Sequence, residues 1–289
     1  MNIVFAANNS YMEHLAVTLV SILINSDKED KFTFYILSND ISKKSKHRLE
    51  KLKRIKDFEI NYIEINNNDF ENFPTRMHLT EQAYYRLQMS ELISEDRVLY
   101  LDSDIIVRKS LKDLYNTDLK GNTAAVVEDI MIGNSGNRNH KHRAEILSDN
   151  YFNSGVMLWD LNKSRDEDIS QKCFDFIKNN RESCLYCDQD PLNFVLNNSC
   201  LFLDKKYNFQ YNPFYKLTNE IYQKHNKEIV ILHFASCKKP WNSLLNLEFS
   251  MEYLSYAIKT PWRGNAIKNI FSIIKQKLKK TIIIIDCYL

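Results

Sequence analysis

The sequence predicts an α/β protein with a Rossmann-like, mostly parallel central sheet and helices on both faces. Three observations carry this. Strand, helix, strand, helix and strand alternate within the first 65 residues, as a doubly wound domain requires. Val98-Leu99-Tyr100-Leu101 is a continuous apolar run, the mark of a strand buried on both faces. That run ends in Asp102-Ser103-Asp104, at the strand end where open α/β sheets hold their ligands.

Composition bounds the answer. A chain of 289 residues, 44% hydrophobic and 26% charged, makes one large domain or one domain with an appendage. A net charge of +2 gives no bulk electrostatic case for nucleic acid. Six cysteines are too sparse for a disulfide scaffold, and Cys184-x-x-Cys187 has no second pair at zinc-knuckle spacing. Ile3-Val4-Phe5-Ala6-Ala7 is too short for the core of a signal peptide, and no apolar run reaches the roughly 20 residues that span a bilayer. The expected compartment is the reducing cytoplasm.

In chain order, Asn2–Ala7 reads as the first strand, with Ser10 available to cap a helix over about Tyr11–Asn25. Leu15 and Leu19 recur on one face of that helix. Phe32–Leu37 is a second strand, Ser42–Lys56 a basic helix with a solvated face, and Phe58–Ile65 a third strand. Thr80–Ile93 is expected to be helical, as is a short turn around Leu111–Leu114. Thr123–Val127 is a strand ending at Glu128-Asp129, and Asn134–His142 is a polar candidate loop. Phe152–Leu161 is a strand with an internal glycine, Gly155, which marks close approach of a ligand or another backbone. Arg165–Asn180 and Asp188–Leu196 read as helices, and Ile229–Phe234 as a late strand carrying His233.

In an extended chain, Asp102 and Asp104 point to the same side. Two converging carboxylates repel unless a cation lies between them. Oxygen ligands suit Mg²⁺ or Mn²⁺, and a cation held this way grips phosphate. With 5 glycines in the chain and no glycine-rich loop after any strand, phosphate charge must be met by other means, and a metal is the natural one. A solvated turn is the alternative reading of Asp-Ser-Asp.

An ordered set of motifs narrows this further. Phe5-Ala6-Ala7-Asn8-Asn9-Ser10-Tyr11, Tyr85-Arg86-Leu87, Leu99–Asp104 and Phe152-Asn153-Ser154-Gly155-Val156 come first. Asp188–Asn193, His233-Phe234 and Lys238-Lys239-Pro240-Trp241 follow. Together, over roughly Met1–Trp262, the chain resembles glycosyltransferase family 8, the retaining enzymes of the GT-A fold that include bacterial lipopolysaccharide galactosyl- and glucosyltransferases.

The resemblance implies a UDP-sugar donor, a divalent cofactor (Mn²⁺ or Mg²⁺) and a glycan or glycolipid acceptor. Asp102, Asp104 and His233 match the metal ligands, though a lone histidine at a strand end is otherwise more often structural. Ala6, Ala7, Asn8, Asn9, Ser10 and Tyr11 match the uridine loop, where the family usually has aspartate at the position of Asn8. Asp102, Ser103, Ser236 and Lys239 fall on the nucleotide-diphosphate side, with Ser236 where a glycine is common. Arg86, Asn153, Asp188 and Gln189 match the residues around the donor sugar. The implied reaction moves galactose or glucose with retention at the anomeric carbon. An amide is a poor nucleophile, which favours same-face displacement at Gln189, with Asp188 as a transient nucleophile the competitor.

Two other classes stay open at this stage. Asp102-Ser103-Asp104 also resembles the motif of haloacid-dehalogenase-like phosphatases, although those carry it on the first strand. A non-catalytic sugar-nucleotide binder is the third reading. The expected domains are a catalytic unit over 1–262 and a basic amphipathic tail over 263–289. In the tail, Ile267, Ile270, Phe271, Ile274 and Leu278 recur at helical spacing among Lys268, Lys275, Lys277, Lys279 and Lys280, with the apolar strip Thr281–Ile285 beyond. This pattern suits an anionic membrane on its cytoplasmic face, and packing back on the catalytic unit is the other reading.

Overall fold

A computed structural model of the chain describes residues 1–71, 73–74, 81–130, 132, 150–182, 184–212, 216–242, 247–269, 271–272 and 275. The expected Asn134–His142 loop, Thr80, and Ile270, Ile274 and the tail beyond Lys275 lie outside these residues.

The chain begins with β1 (Asn2–Ala6), α1 (Met12–Ile24), β2 (Thr33–Ser38), α2 (Lys43–Glu50) and β3 (Glu59–Glu64). A 3₁₀ helix over Glu81–Gln88 runs into α3 (Met89–Leu92), so the expected helix is mostly of the tighter kind. Next come β4 (Arg97–Leu101), β5 (Ile105–Val107), α4 (Lys112–Tyr115), β6 (Ala124–Glu128) and β7 (Phe152–Asp160). The expected helix from Arg165 is two: α5 (Leu161–Asp166) and α6 (Ile169–Asn179), broken where Asp168 takes a left-handed φ of 51°. There follow α7 (Gln189–Val195), β8 (Cys200–Phe202), β9 (Phe209–Gln210), α8 (Lys216–His225), β10 (Ile231–His233) and α9 (Leu247–Ala257).

Among the described residues, seven strands form the central sheet in the order β3-β2-β1-β4-β7-β6-β8. β1 lies parallel to both β2 and β4. β7 alone runs the other way, antiparallel to β4 and β6. Both faces are apolar: Ile3, Phe5, Leu99 and Leu101 pack on the α1 side, while Val4, Val98 and Tyr100 pack on the opposite side. This is why β4 reads as an unbroken apolar run rather than an alternating one.

This topology positions the site. The chain leaves β1 toward β2 and β3 on one side, then returns to place β4 on the other. The crevice at this reversal lies beyond the carboxyl ends of β1 and β4, next to Asn8 and Asp102. Because β7 is antiparallel, its first residues, Phe152 to Gly155, meet the same edge.

A second sheet was not foreseen. β5 pairs antiparallel with β10, and β10 parallel with β9. Ile105 faces His233 in that pairing, and Phe234 N donates to Asp104 O at 3.1 Å. Two stretches far apart in sequence thereby bring a carboxylate and an imidazole together.

The helix start near Ser10 is capped differently from expectation. Asn8 is extended, and its Oδ1 accepts from Tyr11 N at 3.1 Å and Ser10 Oγ at 2.6 Å. A 3₁₀ turn over Asn9–Tyr11 precedes α1, which moves the capping position upstream of Ser10. Residues 263–269 are helical. They touch the rest of the protein through Asn265, which donates to Glu13 Oε2 at 2.9 Å, and Ala266, packed on the α9 core. Ile267 and Phe271 point outward, 40% and 68% exposed. No helix of the described residues is long and apolar enough to cross a membrane.

Candidate active site

Asp102, Asp104 and His233 converge, each offering a ligand atom within 4.8 Å of the others. His233 Nε2 lies 3.7 Å from Asp102 Oδ2 and 3.3 Å from Asp104 Oδ1. His233 is 2% exposed, with its Nδ1 2.9 Å from Asn208 Oδ1 and its Nε2 toward the two carboxylates. Gly155 makes the convergence sterically feasible. A β-carbon there would stand 2.4 Å from His233 Cε1 and 2.6 Å from Asp102 Oδ2. Its carbonyl also accepts from Asp102 N at 2.9 Å.

Charge around this trio is balanced by two cations. Lys239 Nζ lies 2.5 Å from Asp104 Oδ2 and donates to Phe234 O at 2.6 Å. Burial works to raise the Asp104 carboxyl, but Lys239 and His233 outweigh it and hold it well below the usual carboxylate range. Arg86 Nη2 donates to Asp102 Oδ1 at 2.9 Å, and Arg86 Nη1 donates to Ser154 O at 2.7 Å. Tyr100 OH also donates to Asp102 Oδ1, at 3.0 Å, and its ring lies under the Arg86 guanidinium.

Arg86 Nε sits 3.1 Å from Asp188 Oδ2, yet its N–H is directed to Ala83 O. Asp188 Oδ2 is therefore buried with an ionic contact and no hydrogen bond. Burial pushes the Asp188 carboxyl up to about 6, with Arg86 opposing. Ser103 Oγ is a second buried polar atom without a hydrogen bond. Orphaned polar atoms beside a convergent acidic pair are what a polar ligand would satisfy. Oxygen donors plus one imidazole, over a glycine that leaves room, fit a Mn²⁺- or Mg²⁺-like ion.

On the far side, Gln189 opens α7, and Asn193 clamps that helix to β7 by exchanging hydrogen bonds with Phe152 N and O. Gln189 Oε1 accepts from Asn153 Nδ2 and Ser154 N, both at 3.1 Å, and Gln189 Nε2 donates to Asp129 Oδ2 at 3.2 Å. A register shift at Val126/Val127 lets the β6 end present Asp129 there. Asp190 is structural: it accepts from Tyr151 OH and from the N–H groups of Leu185 and Tyr186.

Across the crevice, Asn8–Tyr11 and the Lys239 loop meet. Tyr11 stands edge-on to Trp241 at 6.1 Å, and Trp241 stacks on His14 at 3.8 Å. Ala6 ends β1 and Ala7 follows it, and Ser236 Oγ accepts from Lys238 N in a tight turn. Of the expected site residues, Arg86 and Lys239 contact the acidic pair directly, Asp188 meets Arg86, and Asn153 meets Gln189, whereas Asn9 turns to α2, its Oδ1 accepting from Ser42 N and Ser45 Oγ. Asp129, Asn208 and Tyr100 were missed. Asp129 carries the same signal as Asp102, an acid at a strand's carboxyl end, whereas nothing in the sequence marks Asn208. Cys184 and Cys187 are buried free thiols, with Cys184 Sγ donating to Cys187 O.

Comparison with known proteins identifies the class. The family model "Glycosyl transferase family 8" matches residues 2–245. General stress protein A of Bacillus subtilis is 30% identical over 93% of this chain and 96% of its own length. A lipopolysaccharide 1,2-glucosyltransferase of Escherichia coli K12 is 27% identical over 96% of this chain and 83% of its own length. Among solved structures, the galactosyltransferase LgtC, in complex with donor and acceptor sugar analogues, superposes with a TM-score of 0.80 at 27% identity, covering 92% of this chain and all of its own. The sheet and crevice are those of a GT-A glycosyltransferase. The chain belongs to glycosyltransferase family 8. Nothing favours the phosphatase reading, whose motif would sit on the first strand rather than on β4.

Proposed function

We propose that the protein transfers galactose or glucose from a UDP-sugar to a hydroxyl of a glycan acceptor in cell-surface polysaccharide or lipopolysaccharide synthesis, with retention at the anomeric carbon. The observation that carries this is the convergence of Asp102, Asp104 and His233 next to Lys239. The relatives support both sugars, one being a glucosyltransferase and one structural neighbour a galactosyltransferase.

Asp102, Asp104 and His233 hold the divalent ion, which when bound supplies positive charge to the departing diphosphate. Lys239 adds a second positive charge there. Asn8 Oδ1 is committed to capping, and Asn8 Nδ2, whose long 3.5 Å bond to Gln82 Oε1 uses one of its two hydrogens, is the group to donate to a uracil carbonyl. Ser10 and Tyr11 complete that loop. Ser103 Oγ and Asp188 Oδ2 receive hydroxyls of ribose and sugar respectively. Arg86 braces Asp102 against Asp188, and Asn153 fixes Gln189 beside the anomeric carbon.

Gln189 offers no carboxylate for a covalent intermediate, and Asp188 is held in an ion pair by Arg86. The reading is therefore a same-face displacement in which UDP accepts the proton of the incoming hydroxyl. The catalytic unit occupies 1–262 and the tail 263–289 holds it on the cytoplasmic face of the membrane. Exposed Ile267 and Phe271 beside Lys268 support that attachment.

A donor screen tests the reading. UDP release is measured across UDP-, GDP- and CMP-sugars with Mn²⁺ and an acceptor glycan. Turnover with UDP-galactose or UDP-glucose is expected. Preference for a GDP- or CMP-sugar, or binding with no UDP release, would reject it.

A further inference from the structure

A single chain of hydrogen bonds runs from His233 to Asp129. His233 Nδ1 is 2.9 Å from Asn208 Oδ1. Asn208 Nδ2 donates to Asn153 Oδ1 at 2.9 Å, and Asn153 Nδ2 donates to Gln189 Oε1 at 3.1 Å. Gln189 Nε2 donates to Asp129 Oδ2 at 3.2 Å. Asn208 is fully buried and Asn153 is 9% exposed, so water does not compete for these bonds.

The direction of this chain is fixed by groups that cannot reverse. Backbone N–H groups only donate, and a carboxylate only accepts. Gly155 N donates to Asn153 Oδ1 at 3.1 Å, which turns the Asn153 amide one way. Ser154 N donates to Gln189 Oε1, and Asp129 Oδ2 accepts from Gln189 Nε2, which turn that amide consistently. With Asn153 Oδ1 facing it, Asn208 must present Nδ2 there and Oδ1 to His233. Asn208 Oδ1 can then only accept, so His233 Nδ1 must carry a proton.

We infer that Asn208 is a positioning residue that holds His233 in the Nδ1–H tautomer, aiming the Nε2 lone pair at the point where Asp102 and Asp104 converge. The inference rests on the proposed role of His233 as a metal ligand. It adds that the ligand's orientation is set by Asn208, just before β9, and is tied through the Asn208 and Asn153 amides to Gln189 on the sugar side. Metal affinity and sugar positioning are thereby linked through one buried strip of polar groups. Second partners of ligating histidines ordinarily alter metal affinity by about 10–100-fold when removed.

The test uses the full chain and has two arms. Nitrogen-15 NMR of the histidines at pH 8, with diamagnetic Mg²⁺ and UDP added, should find His233 protonated on Nδ1. A bare Nδ1 under those conditions overturns the inference, whatever the variants do. Calorimetric Mn²⁺ titration in the presence of UDP should then show about a 10–100-fold loss of affinity in Asn208→Ala. In an Asn153→Ala background, which removes the oxygen facing residue 208, Asn208→Asp should hold Mn²⁺ affinity within a few-fold because it keeps an oxygen on Nδ1, whereas Asn208→Ala should lose it. Equal losses of the two variants in that background, the outcome a purely structural Asn208 predicts, overturn the inference. If His233→Ala leaves Mn²⁺ affinity unchanged, the metal reading itself fails, while the tautomer result still stands or falls separately.

Discussion

Gly155 lies directly beneath His233: a β-carbon on that glycine would stand 2.4 Å from His233 Cε1, well inside any real contact. Nothing flexible can yield, because His233 is clamped by Asn208 and Asp102 by Arg86 and Tyr100. Gly155→Ala should therefore displace a metal ligand rather than unfold the sheet. About a 10–100-fold drop in Mn²⁺ affinity is expected, with overpacking costing about 1–3 kcal/mol of stability. Titration calorimetry and a denaturant melt measure the two. Unaltered Mn²⁺ affinity would contradict the assignment.

Arg86 balances the buried carboxylate of Asp188 at 3.1 Å and the partly exposed one of Asp102 at 2.9 Å. Removing one partner from such a group leaves uncompensated buried charge. Arg86→Met should lower unfolding free energy by about 3–5 kcal/mol at neutral pH, read from the shift of the urea midpoint. A loss below about 1 kcal/mol would mean that the pair behaves as an exposed one.

His14 is buried against Trp241, and its Nδ1 meets Tyr253 OH at 2.7 Å. Burial pushes its pKa down from 6.5 to about 4, Asp104 opposing and Lys239 assisting. The unfolded chain takes up this proton as pH falls through 6.5, the folded chain only near 4. The stability His14 confers is complete above pH 6.5 and drains away as pH falls from 6.5 to about 4, by about 3 kcal/mol in all. His14→Phe keeps the stack and should flatten that part of the stability–pH curve. Parallel curves for the two proteins would contradict this.

Much of this arrangement was legible in the sequence. β1, β2 and β4 announced themselves as apolar runs because they are largely buried, β3 at the sheet edge showed instead by alternation, and Asp102 and Asp104 stood out because they follow a buried strand. Of the small sheet only β10 was legible, as the late strand expected over Ile229–Phe234. β5 is three residues and β9 is two, and their pairing with β10 joins stretches far apart in sequence, so no local pattern marks them. The metal-ligand role of His233 and the role of Lys239 were therefore reached only through the family resemblance, and Asn208, beside β9, was not reached at all. The expected long helices failed at their ends for local reasons. Asp168 turns left-handed between α5 and α6, and Asn8, not Ser10, satisfies the first free N–H groups.

Residues 263–269 have two faces, one docked through Asn265 and Ala266 and one presenting Ile267 with Phe271 beyond. The double variant Ile267→Glu/Phe271→Glu should lose sedimentation with anionic liposomes at low salt while releasing UDP from donor at the normal rate. Each neighbouring lysine contributes about 1 kcal/mol at an anionic surface, so binding by the unaltered protein should weaken as salt rises. Equal sedimentation of both proteins would remove the tail helix as the anchor.

The central claim is that Asp102, Asp104 and His233 hold a divalent ion on which sugar transfer depends. The most direct measurement follows transfer from UDP-galactose and UDP-glucose by enzyme stripped with EDTA, then restored with Mn²⁺, alongside Asp104→Asn. Stripped enzyme and Asp104→Asn should both be inactive, Mn²⁺ should restore only the former, and NMR of the product should show the donor's anomeric configuration. Full-rate transfer by the stripped enzyme would contradict the account.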